Sequence, residues 1–186
     1  MFARLLRTEG GFVDSPADHG GATKYGLSLR FLVQQAKISP SLVKMLDINR
    51  DGEIDLPDIR DMTTVEAEAV YRRFFWEPAA AKLPPPFDAA VFDQTVNDGL
   101  VPAVKLLQRT LNVAADKGWP LPVTGYLGPQ TAARLVEDIS LLGSERLLDG
   151  YRAAAAGRYR QIVDADPAQA GFLDGWLTRA AELGDV

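Results

Sequence analysis

Cysteine is absent from this chain, and histidine occurs once, at His19. Without cysteine no disulfide framework can hold the fold or report its compartment. One histidine and no cysteine exclude zinc sites of the usual ligand sets. They also make a Ser-His-Asp triad a strained idea. No stretch approaches the roughly 20 consecutive apolar residues of a membrane span. An excess of positive charge is missing too. The formal net charge is −5, which argues against a general nucleic-acid binder with its basic face. The apolar run of Met1–Arg7 is too short for a secretory signal before Glu9 interrupts it.

What remains is an ordinary globular composition. Of the 186 residues 47% are hydrophobic and 24% charged, enough for a real core in one large or two small domains. The apolar spacing is helical almost throughout. Helices are predicted at 29–36, at 63–76, where Thr63 and Glu66 have capping-box spacing, and at 87–97 and 102–111, separated by Gly99. Further helices are predicted at 129–138, where Pro129 suits a first turn, at 141–163 and at 170–183. Only residues 11–28 read as a hairpin or small sheet. The expected fold is therefore mainly α (α+β), a helical bundle with a small β element. The prolines at 84–86 form a semi-rigid run, which places the expected boundary between segments 1–86 and 87–186. The two segments are expected to pack as one rigid body.

The segment from Thr8 to Ser28 is the most informative. Glu9 ends an apolar helical face, Gly10 and Gly11 follow, and Asp18 precedes Gly20, Gly21 and Thr23. One acid at a helix end and another on a glycine-rich turn can face each other across a cleft. Glycosidic cleavage needs that geometry: a protonated acid on the leaving oxygen, and a second group that steadies or activates the attacker. An Asx-turn within an ordinary hairpin would use the same residues. The segment resembles the signature of glycoside hydrolase family 108, whose members are N-acetylmuramidases, on Glu9, Gly10, Gly11, Phe12, Pro16, Asp18, Gly20, Gly21, Thr23, Tyr25 and Gly26. The second half resembles the peptidoglycan-binding domain that follows such catalytic segments. It does so at Phe92–Gly99, Leu106–Gln108, Gly125–Thr131 and Gly175–Arg179.

The resemblance implies a lysozyme-like fold and cleavage of the β-1,4 bond between N-acetylmuramic acid and N-acetylglucosamine. Glu9 would be the general acid, and Asp18, helped by Thr23, would handle the water. Inversion or retention depends on the carboxylate separation. Lys24 and Tyr25 suit a sugar cleft. Gln94 and Asn97, one helical turn apart, suit acetamido groups or internal polar partners equally. His19 reads as a turn residue, and Trp119 as a sugar platform or core. No cofactor is expected for catalysis. Lytic transglycosylation and a non-catalytic peptidoglycan-binding module are the alternatives. The expected partner is peptidoglycan, met by a monomer made in the cytoplasm and released to the periplasm by a holin or another export route, as for a phage or prophage endolysin or a lysozyme serving a secretion system.

Residues 47–58 carry a separate pattern. Asp47, Asn49 and Asp51 stand at loop positions 1, 3 and 5, Gly52 at 6 and Asp58 at 12, with Glu53 completing the set. This is the EF-hand calcium spacing, with aspartate in place of the usual bidentate glutamate. A structural calcium is the expectation, and a solvated acidic turn the alternative.

Overall fold

The computed structural model describes residues 11–14, 22–114 and 120–185. They form two compact units divided between Phe74 and Phe75. The predicted helical content and the single small sheet are both present.

In the first unit, β1 (Thr23–Lys24) and β2 (Leu27–Ser28) pair antiparallel, Thr23 with Ser28 and Lys24 with Leu27. Tyr25 (φ 51°) and Gly26 (φ 75°) form the turn. Two consecutive positive φ angles define the type I′ connection that matches strand twist. Val13 adds an isolated antiparallel bridge to Thr23, closed by two backbone hydrogen bonds of 2.8 Å. Ser28 then caps α1 (Leu29–Ile38), its hydroxyl accepting from the Phe31 N–H at 3.2 Å.

A 3₁₀ turn and the short α2 (Val43–Leu46) lead into the 47–58 loop, and α3 (Leu56–Asp61) leaves it. In α4 (Thr64–Tyr71) the expected capping box is formed: the Thr63 N–H donates to Glu66 at 2.7 Å, and the Glu66 N–H returns to the Thr63 hydroxyl at 3.3 Å. The helix predicted over 63–76 changes character at Arg72, where the ladder widens into π-type turns through Trp76. The core of this unit is Leu27, Leu32, Leu46, Ile59, Met62, Val70 and Tyr71, all essentially inaccessible to solvent.

The second unit contains α5 (Phe87–Asp98), α6 (Leu100–Ala114), α7 (Pro129–Leu142), α8 (Ser144–Ala165) and α9 (Leu173–Ala181). Gly99 (φ 93°) and Gly143 (φ 84°) make the breaks between α5 and α6 and between α7 and α8, using backbone angles that side chains disfavour. Phe87 and Tyr151, both fully buried, meet edge-on at 6.4 Å between centroids. The division of the units falls ahead of the triple proline, because Ala79 and Leu83 already pack into the second core.

Candidate functional site

Glu9 and Asp18, the two candidate acids, lie outside the described residues, as do His19 and Trp119. The structure does place what flanks Asp18 in sequence. The Val13–Thr23 bridge holds together the two ends of the segment that contains it. Thr23 is thus a strand residue, half-buried, anchored by its backbone on both sides.

Lys24 and Tyr25 sit next to it on the hairpin. The Lys24 ammonium donates to the Arg60 carbonyl at 2.6 Å and lies 5.5 Å from the centroid of the Tyr25 ring. That places it within cation–π range. The hairpin tip is tied down from below: the buried Tyr71 hydroxyl donates to the Tyr25 carbonyl at 2.7 Å. Two elements far from the hairpin in sequence, α3 and α4, therefore hold Lys24 and Tyr25 in position.

Gln94 and Asn97 belong to the second unit and are brought together there on one phenol. The Asn97 amide donates to the Tyr159 hydroxyl at 2.6 Å, and that hydroxyl donates to Gln94 Oε1 at 3.1 Å. Gln94 is fully buried and also reaches Asp98 at 3.4 Å. Asp98 in turn holds the Arg158 guanidinium through two nitrogens. That hydrogen bond raises the Arg158 pKa above its ordinary value. Burial pushes the Tyr159 phenol up, and its ring stacks on Trp176 at 5.4 Å. These contacts make Gln94 and Asn97 part of an internal brace spanning α5, α8 and α9.

In the 47–58 loop, buried Asp58 accepts the N–H groups of Ile48 (2.6 Å), Asn49 (3.2 Å) and Asp55 (2.8 Å). Asp47 accepts those of Asp51 (3.1 Å) and Gly52 (3.0 Å). Gly52 has φ 95° at the sharp turn, and Arg50 has φ 63°. Asp55, at loop position 9, is a donor that the sequence reading passed over; position 9 often acts through water. Its Oδ1 is buried without a hydrogen-bond partner. Burial, reinforced by the carboxylates of Asp51, Asp58 and Glu53, raises its pKa. The donor chemistry suits a hard cation. Among the described residues, however, no three His, Cys, Asp or Glu side chains are gathered closely enough to hold one.

Among the described residues no helix is long and apolar enough to cross a membrane. The family model described as Glycosyl hydrolase 108 matches residues 2–99. A second model, described as Predicted Peptidoglycan domain, matches residues 102–181. The solved structure of SagA from Brucella abortus is similar over 98% of this chain and 91% of its own, at 23% identity and a TM-score of 0.67. That likeness concerns the fold. A comparison with curated proteins finds no match.

Proposed function

The chain belongs to glycosyl hydrolase family 108, and from that premise we propose that it is an N-acetylmuramidase. It would hydrolyse the β-1,4 bond between N-acetylmuramic acid and N-acetylglucosamine in peptidoglycan. The family match over residues 2–99 carries this reading, and the peptidoglycan match over 102–181 supports the choice of polymer. Glu9 is the proposed general acid. Its pKa must lie above the free value of about 4.3 for it to donate a proton near neutrality. Asp18, with Thr23 five positions later on β1, is proposed to position or activate the water, and Lys24 and Tyr25 to border the sugar.

Reducing ends released from purified peptidoglycan test this directly. Glu9→Gln, with wild-type circular dichroism, should lower the rate by about 10²- to 10⁴-fold, the usual share of general acid catalysis. Equal rates would remove Glu9 from the chemistry. Mass spectra of the fragments separate the alternative sugar chemistry, since hydrolysis leaves a reducing end and lytic transglycosylation a product lighter by one water.

We also infer that loop 47–58 takes a structural calcium, which would draw Asp47, Asn49, Asp51, Glu53 and Asp58, with Asp55 as an additional oxygen donor, closer together than they stand. The support is the spacing together with the orphaned Asp55 oxygen. Bound there, the ion would stiffen the connection between α2 and α3, with no part in the reaction.

A further inference from the structure

The second unit holds a cleft that no candidate residue above occupies. It encloses about 490 Å³ between the 121–128 loop and the start of α7, lined by Gln108, Thr124, Tyr126, Gly128, Gln130 and Thr131 among others. This is a size typical of small-ligand sites. None of the described residues lining it carries a formal charge.

Its most exposed large side chain is Tyr126, 72% accessible. The loop that carries it is tied to α6 and to itself. A Cβ on Gly128 would stand 2.9 Å from the Tyr126 ring, so the ring lies over bare glycine backbone. Gly125 (φ 80°) is pressed against Val101, where a Cβ would come within 2.6 Å of the valine side chain. From α6 the buried Gln108 amide donates to the Tyr126 carbonyl (3.1 Å) and the Thr131 hydroxyl (3.2 Å), while its oxygen accepts the Gly125 N–H (3.0 Å). The Thr124 hydroxyl accepts the Tyr126 N–H at 3.1 Å. These bonds pin the loop backbone that carries the ring, so a ligand would have little backbone entropy left to remove.

We propose that this cleft is a glycan subsite. The open face of Tyr126 stacks on the C–H face of an N-acetylhexosamine, and the Gln130 amide and Thr124 hydroxyl border its acetamido and hydroxyl groups. The neutral lining favours the uncharged N-acetylglucosamine ring over the peptide stems of the same polymer, whose carboxylates call for a cation. A cationic groove does exist in this unit, between α6 and α8 with Arg109 and Arg146 on its wall. The proposal rests on peptidoglycan being the polymer bound.

The test uses the full chain with Glu9→Gln to stop digestion, and an N-acetylglucosamine tetramer, free of peptide, as probe. In two-dimensional amide NMR, signals of residues 124–131 should move saturably with tetramer. Tyr126→Ala should weaken that binding at least tenfold, while Tyr126→Trp retains it within threefold. Unmoved 124–131 signals in the Glu9→Gln parent, or equal affinity in a folded Tyr126→Ala, would overturn the subsite. The parent titration decides the matter even if Tyr126→Ala fails to fold. Shifts at Arg109 and Arg146 with a peptide-bearing fragment alone would likewise overturn it and assign binding to the other groove. Reducing-end release by the wild type, measured in parallel, tells failure of the subsite from failure of the muramidase reading.

Discussion

Replacing Gln108 by leucine tests the frame on which the second unit's loop is built. The two side chains are close in size, so the substitution removes polar atoms with little change in packing. In the native protein the Gln108 oxygen accepts the Gly125 N–H, and both groups are buried. Leucine leaves that N–H without a partner, at about 1–3 kcal/mol. The Thr131 hydroxyl, also buried, loses its donor for roughly another 1 kcal/mol. The Tyr126 carbonyl keeps the Gly128 N–H at 3.1 Å and contributes little. The expected loss is therefore about 3 kcal/mol. With an m-value of about 2 kcal/mol/M in urea, the midpoint falls by roughly 1.5 M. Tryptophan fluorescence is the natural assay, because Trp76, Trp119 and Trp176 all belong to the 75–186 unit. A loss below about 0.5 kcal/mol, less than one net hydrogen bond, would mean that Gln108 does not close the loop, and the rigidity argued for Tyr126 would go with it.

Two further outcomes follow from the charges and the loop. Burial raises the pKa of both Tyr151 and Tyr159, so the unfolded chain releases these phenol protons first. Their contribution is intact below about pH 10 and is lost above it, at up to about 1.4 kcal/mol per pH unit for each tyrosine. Urea midpoints at pH 9 and 11 should show this, and Tyr159→Phe should halve the tyrosine part; an unchanged slope would refute the assignment. For the 47–58 loop, calcium added to chelator-treated protein at about 100 times Kd should stabilise it by about 2.7 kcal/mol. Asp47→Ala should abolish the effect, and calorimetry without heat in the wild type would remove the ion from the account.

The legible parts of this protein are those written locally. Thr63 and Glu66 announce their capping box, Gly99 its break, and Pro129 the first turn of α7, because each involves residues within a few positions. The Tyr25–Gly26 turn was legible as a small β element for the same reason. The π-type turns after Arg72 were not, since a widened ladder has no distinct apolar spacing. Gln94 and Asn97 show a subtler limit. Their spacing puts them on one face, but the Tyr159 hydroxyl they share comes from more than 60 residues away. Periodicity cannot tell a sugar from a distant phenol. Tyr126 lies in the Gly125–Thr131 stretch that the sequence singles out, but a role for its ring was not legible there, because its place over Gly128 exists only once the loop is folded.

The turn at Tyr25 has a consequence for reading natural or laboratory variation. A left-handed backbone at φ 51° is one that a bulky side chain adopts at a cost and that asparagine or glycine adopts readily. A library at this position selected only for folded protein should therefore enrich Asn and Gly over Tyr. The same library selected for wall lysis should return Tyr if the ring serves the substrate. The difference between the two rankings isolates what the side chain does from what the backbone merely tolerates.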